Sequence, residues 1–120
     1  MEDWELEFEW LQVRHKVKEI LNKDTLPDLN LVLLMIGAQE LGFWRKNFTK
    51  EEKQDLMHIG VCELLSQEGH YEFIGRDTEG WPHYKLIRPF STKGEGAQEL
   101  FLKEKAIGYF KTWEKEKLEG

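Results

Sequence analysis

The chain has 120 residues, 40% hydrophobic and 12% aromatic, which is enough for one domain with a packed core and too few to predict two. Its 17 basic and 23 acidic side chains give a net charge of -6, which argues against nucleic acid or an anionic membrane as partner. A single cysteine excludes an intramolecular disulfide, and the acidic start lacks the basic segment of a signal peptide. We therefore expect a cytoplasmic protein.

The first segment of the chain carries two conflicting patterns. Residues 3–10 alternate between acidic and apolar side chains, which is the period of a strand. A helical stripe nevertheless continues towards Asn22, through Leu6, Trp10, Val13, Val17 and Ile20. Glutamate forms helices readily and carboxylates stabilise the positive end of a helix, so we predict a helix. A strand added to the hairpin described below is the alternative.

The most apolar segment lies between Leu26 and Gly42. Pro27 and Asp28 are typical of the start of a helix and Gly42 of its end. Almost no polar face remains, so this helix is predicted to be central, and it is shorter than the about 20 residues that cross a bilayer. Gly37 would allow another helix to approach closely. The same apolarity leaves a homodimer interface on this helix as an alternative.

Residues 43–48 form a short connection that is both basic and aromatic. Basic groups beside aromatic rings can stack on bases or hold phosphates, so Trp44 and Arg45 are candidate partner-binding residues. The alternative is a loop that Phe43 and Phe48 anchor while its basic groups remain in water.

The next helix has the clearest start signal in the chain. Thr49 followed by Glu52 is a capping box, in which each side chain binds a backbone N–H that the helix start leaves free. A helix should therefore begin near Lys50 and end at Gly69, where glycine supplies a left-handed residue.

Beyond Gly69 the apolar period changes to two, which predicts a β-hairpin. Tyr71 and Phe73 alternate with His70, Glu72 and Ile74 before the turn. Tyr84 and Leu86 alternate with Lys85 and Ile87 after it, and the turn itself reads DTEG. Pro82 has no backbone N–H to donate to the hydrogen bonds between strands, so it should start a strand or lie at a sheet edge.

Residues 91–96 are rich in serine, threonine and glycine and are predicted to be a linker to a last helix. The apolar residues of that helix are Leu102, Ala106, Tyr109, Phe110 and Trp113. The fold class that follows is a single, mostly helical α+β domain over residues 1–120, with three to four helices and one hairpin.

Three helices followed by a hairpin resemble the winged-helix layout in element order. In that family the helix before the hairpin enters the DNA major groove and the hairpin tip contacts the backbone. Here residues 49–69 carry a charge of -3 and residues 70–93 only +1. Such a helix would repel phosphates, so nucleic-acid binding is the alternative and not the first interpretation.

Three stretches, LLMIGAQELG at 33–42, KQDLMHI at 53–59 and GWPHY at 80–84, resemble a family of small uncharacterised bacterial proteins. The resemblance covers about residues 27–88. It implies a bacterial cytoplasmic protein and brings no activity, cofactor or catalytic residue with it.

The candidates for chemistry are few. A thiol and imidazoles can bind zinc, and the candidate ligands are His58, Cys62, His70 and His83. The spacing of these residues matches no zinc-finger or zinc-ribbon motif. The chain also has no glycine-rich phosphate-binding loop and no nucleophile elbow. We therefore predict no cofactor and no catalytic residue, and favour a protein that is not an enzyme.

The hairpin offers a candidate binding site. Trp81, His83 and Tyr84 could form an aromatic notch that recognises a small anion or a peptide with the help of Arg76 or Arg88. The alternative is that Trp81 and Tyr84 pack on the helices and leave His83 in water.

The sequence thus predicts a non-enzymatic protein-binding or adaptor module that exposes its hairpin and residues 43–48. Its partner would be a protein, which could be a second copy of the chain in a homodimer. A winged-helix nucleic-acid binder is the second interpretation, and a small metal-dependent enzyme is the third.

Overall fold

The computed structural model describes residues 3–91 and 94–119. In chain order its elements are α1 (Asp3–Leu21), α2 (Leu29–Leu41), α3 (Lys50–Ser66), β1 (Tyr71–Arg76), β2 (Pro82–Leu86) and α4 (Glu95–Glu119). This confirms the mostly helical α+β class and the order of three helices, a hairpin and a last helix. The contacts group the chain into two compact units, one consisting of Leu29–Ser91 and the other of the two ends of the chain.

In the unit formed by the chain ends, α1 packs on α4. The N-terminal segment is a helix, as predicted, and its buried residues are Leu6, Trp10, Val13 and Val17. Ion pairs join the two helices at Lys16 with Glu114 and at Lys111 with Glu9, where Nζ lies 2.7 Å from Oε1. The segment forms a helix and not the alternative strand, because a helix places all four of those buried side chains on one side.

The linker predicted over residues 91–96 is shorter than expected, because α4 already begins at Glu95. Gly94 has a φ of 87°, a left-handed conformation, directly before the helix. Gly96 lies within the first turn, where a glycine disturbs a helix less than in its interior. Residues 92 and 93 of the predicted linker lie outside the described residues.

The Leu29–Ser91 unit is built on α2 and α3. The predicted central helix is confirmed, and its buried residues are Val32, Leu33, Leu34, Met35, Ile36, Gly37, Ala38 and Leu41. A cluster of Leu34, Leu41, Phe48, Leu56 and Ile59 forms the core beneath the hairpin. Little apolar surface of α2 is left for the homodimer interface considered above.

The two helices cross at a pair of glycines. A Cβ added at Gly37 would lie 2.6 Å from the carbonyl carbon of Leu56, and one at Gly60 would lie 3.0 Å from that of Leu33. Both distances are shorter than an ordinary carbon–carbon contact, so only glycine allows this backbone separation. The close approach predicted at Gly37 is confirmed, and Gly60 is its counterpart on α3.

The ends of α3 follow the sequence signals. Thr49 is the N-cap and forms a complete capping box with Glu52. At the other end Gly69 has a φ of 78°, and the N–H of His70 bonds the carbonyl of Leu65 over 3.2 Å. This bond and that from Gly69 to Ser66 form a Schellman motif, which satisfies carbonyls that the helix leaves free.

The hairpin is an antiparallel pair with one irregularity. Phe73 pairs with Tyr84 but Gly75 pairs with His83, so a β-bulge falls between them. Pro82 is the first residue of β2, as predicted. A bulge adds a residue to one strand only. In the part of the hairpin between the bulge and the turn, it therefore changes which side chains face α3.

Candidate functional site

A groove of about 380 Å³ lies between the first turns of α3 and the hairpin turn. Its lining residues are Glu52, Asp55, His58, Ile59, Asp77, Glu79, Trp81, Pro82 and His83. Four of them are carboxylates and, among the described residues that line it, none is lysine or arginine. The groove is therefore a surface of negative charge with one aromatic wall.

The hairpin turn is organised around the carboxylate of Asp77. Oδ1 accepts hydrogen bonds from the backbone N–H of Glu79 at 2.9 Å and of Trp81 at 3.0 Å. Oδ2 lies 3.0 Å from Nε2 of His83, and this contact and those backbone bonds lower the pKa of Asp77. The turn thus holds an ionised carboxylate at the groove, with Glu79 exposed beside it.

The start of α3 supplies the opposite side. The carboxylate of Glu52 accepts the N–H of Thr49 at 2.9 Å, and this bond, with Arg45 beside it, lowers the pKa of Glu52. The guanidinium of Arg45 also lies 4.9 Å from the ring centre of Phe48. At this end of the groove a cation is bound by a carboxylate and an aromatic face.

Aromatic rings continue from the groove to the loop before α3. Phe48 contacts Trp81 edge to face at 6.4 Å between ring centres, and Trp44 contacts Phe48 in the same way at 5.5 Å. Phe48 is buried, whereas Trp44 is 55% exposed. Trp44 and Arg45, both predicted to bind a partner, therefore lie next to one wall of the groove.

Two other predicted binding residues, Arg76 and Arg88, form hydrogen bonds with backbone carbonyls of the chain itself. Arg76 donates to the backbone carbonyl of Glu40 at 2.6 Å and to that of Leu41 at 3.2 Å, at the end of α2. Arg88 donates to the carbonyl of Glu68 after α3. Positive groups at helix C-termini complement the helix dipole, so these guanidinium groups stabilise helix ends.

Trp81 and Tyr84 are both partly buried against the core cluster, and His83 is exposed. The hydroxyl of Tyr84 donates to Oε2 of Glu63 at 2.8 Å. Burial and that carboxylate raise the pKa of Tyr84. The aromatic notch is therefore packed on the helices through Tyr84, while Trp81 and His83 line the groove.

The candidate zinc ligands do not form one group. Sγ of Cys62 lies 3.5 Å from Nε2 of His58, but His70 contacts the carbonyl of Arg88 at one end of the hairpin and His83 lies at the other. Within residues 3–91 and 94–119, no three histidine, cysteine, aspartate or glutamate side chains are arranged to hold a metal. Burial, with Glu63 nearby, raises the pKa of the Cys62 thiol to about 11.

The feature that sequence reasoning missed is the meeting of two acidic segments. Glu52 and Asp55 belong to a predicted helix and Asp77 and Glu79 to a predicted turn, and no local pattern joins these two segments. The charge of -3 over residues 49–69 is the signal in the sequence that this helix has an acidic surface.

Comparison of the chain with protein-family models, with curated proteins and with solved structures found no match. The resemblance to a bacterial family therefore stays a prediction. In the described part of the chain, no helix combines the length and apolarity that a membrane span requires.

Proposed function

We propose that the protein is a non-enzymatic binding module that takes a lysine- or arginine-containing segment of another protein into the acidic groove. The observation that carries the proposal is the composition of the lining: a tryptophan and four carboxylates, of which Glu52 already pairs with Arg45, with no lysine or arginine among the described lining residues. A basic segment would complement that charge, whereas phosphates would be repelled.

Arg45 indicates how a cation would be held. Its guanidinium pairs with Glu52 and lies over Phe48, so one arginine of the chain already uses the chemistry proposed for the partner. Asp55, Asp77 and Glu79 would extend the same interaction along the groove. Trp81 offers an aromatic wall at which a second cationic or apolar side chain could pack.

The exposure of the groove limits the expected affinity. Ion pairs between exposed groups contribute about 0–1 kcal/mol each, and a cation over an exposed ring about 0.5–1 kcal/mol. Four ion pairs and one cation–ring contact sum to at most about 5 kcal/mol, so the Kd should be no tighter than about 0.2 mM, and added salt should weaken it further. An interaction of this strength is suited to an adaptor that binds and releases its partner.

The test is fluorescence anisotropy with a labelled peptide of alternating arginine and glycine, and with a glutamate–glycine peptide as its charge-reversed counterpart. We expect the arginine peptide alone to bind. The variants Asp55→Lys and Glu79→Lys should each weaken binding by roughly fivefold, since each replaces an attraction with a repulsion.

Glu104→Lys is the matched control, because Glu104 is an exposed residue of α4 outside the groove lining. It makes the same change in net charge and should leave the Kd within about a factor of two. Equal effects from Glu104→Lys and Glu79→Lys would mean that net charge alone attracts the peptide, and the groove would then have no specific role.

A further inference from the structure

Helix α1 carries a second apolar stripe that the unit formed by the chain ends does not bury. Trp4 is 70% exposed, Phe8 56% and Leu11 40%. These residues are spaced by four and three positions, so they lie on one face of the helix, and the exposed His15 continues that face. The buried stripe of α1, which begins with Leu6, lies on the other side.

The charges of α1 are divided along its length. Its first half carries only acidic groups, Asp3, Glu5, Glu7 and Glu9. Its second half carries Arg14, Lys16 and Lys18 against the single carboxylate of Glu19. Of these, Glu9 and Lys16 pair with residues of α4. The acidic and basic halves therefore follow each other along the same helix as the exposed stripe.

We propose that this stripe is the interface for a second copy of the chain, with the two α1 helices antiparallel. A two-fold axis brings the same surface of both copies together, so the surface must be complementary to itself. An antiparallel pair of α1 helices meets this condition, because the acidic half of each lies beside the basic half of the other. A parallel pair would place like charges together.

The spacing also selects a register. Positions 4, 8, 11 and 15 alternate in steps of four and three, which is the pattern of a two-helix seam. With Phe8 opposite the partner's Leu11, Trp4 lies opposite the partner's His15. Glu7, which flanks the stripe, then lies near the partner's Arg14. This interface is separate from the acidic groove and does not depend on the function proposed for it.

The seam is short, so the dimer should be weak. The twelve residues from position 4 to position 15 span about 16 Å of helix, and an interface of that length lies below the size of stable protein–protein interfaces. We expect a Kd on the order of 10 µM.

Sedimentation equilibrium over a range of concentrations tests the proposal. Phe8→Ser and Trp4→Ser should each raise the dimer Kd by at least roughly tenfold, because each removes an aromatic side chain from both halves of the interface. Both side chains are exposed, so circular dichroism of these variants should be unchanged. Ile20→Ser is the matched control: Ile20 is 44% exposed on the same helix but lies away from the stripe.

A chain that remains monomeric at all concentrations, or a dimer that Phe8→Ser leaves unchanged, would overturn the proposal. In the first case the stripe would be a site for a different protein, and in the second the dimer would use another surface.

Disulfide trapping tests the orientation. An equimolar mixture of Trp4→Cys and His15→Cys chains should form a mixed disulfide, because these positions are opposite in the antiparallel register. Each variant alone should not, since two copies of position 4 would be about 16 Å apart along the pair, beyond the about 7 Å limit for a disulfide. Cross-linking of Trp4→Cys alone would show a parallel pair and contradict the proposal. Cys62 is buried and should not compete.

Discussion

Replacing Gly37 with alanine should destabilise the protein, although alanine is the better helix former. The interior of α2 would gain about 1 kcal/mol from helix propensity alone. The added Cβ, however, would lie 2.6 Å from the carbonyl carbon of Leu56 and closer still to its oxygen. These are backbone atoms of α3 that no rotamer change can move, so the helices themselves must separate.

The required separation sets the size of the effect. Restoring an ordinary carbon–carbon contact needs a shift of roughly 1 Å, which forfeits a quarter to a half of the dispersion energy at each contact between the helices. Overpacking a core costs about 1–3 kcal/mol, and a clash with backbone belongs at the upper end. After the gain in propensity, we expect a net loss of about 2 kcal/mol in the free energy of unfolding.

Urea denaturation followed by circular dichroism measures this loss as a lower midpoint with an unchanged slope. Gly60→Ala, at the same crossing, should behave alike. Gly108→Ala is the control, because a Cβ at Gly108 of α4 meets nothing within 4 Å, and it should stabilise by up to about 1 kcal/mol. The reasoning fails if Gly37→Ala stabilises the protein as Gly108→Ala does, since helix propensity would then outweigh the contact.

Three further results are expected. Tyr84→Phe removes the hydrogen bond to Glu63 and should lower the free energy of unfolding by about 1.5 kcal/mol in the same urea titration. The pKa of Cys62 at about 11 means that iodoacetamide at neutral pH should label the thiol fully only after unfolding; rapid labelling of the folded chain would contradict this. The pKa of Asp77 is lowered by His83 and by backbone N–H groups, so its carboxylate stabilises the folded state above its ordinary pKa, and this contribution is lost as pH falls through the lower folded value. The stability deficit of Asp77→Asn should therefore shrink below about pH 4, and a deficit that stays constant down to pH 2 would argue against an ionised turn.

Much of the fold could be predicted because the signals are local. The hydrogen bonds of the capping box join Thr49 and Glu52, which are three residues apart, and the end of α3 depends on Gly69. Whether these bonds form depends on the nearby sequence and hardly on the rest of the chain. The same is true of Pro82 at the start of β2 and of the hairpin turn.

The surroundings of the candidate binding residues could not be predicted from the sequence, for a physical reason. Arg76 and Trp81 are both predicted to bind a partner; in the structure Arg76 donates to carbonyls of α2, 35 residues earlier in the chain, and Trp81 contacts Phe48 at one wall of the groove. A guanidinium serves equally well at a ligand or at a helix end. The sequence cannot distinguish these roles, because the choice depends on which distant backbone lies beside it.

The sequence by itself therefore determined the order of the elements, the ends of α3, the start of β2 and the close approach at Gly37, whereas it placed the start of α4 too late. Only the tertiary structure decided that Asp55 and Glu79 line one groove and that Trp4 stays exposed while Trp10 is buried. The first depends on how the hairpin packs on α3, and the second on which side of α1 packs on α4. Both the groove and the burial of α1 depend on contacts between segments far apart in the chain, and only the packed backbone brings such segments together.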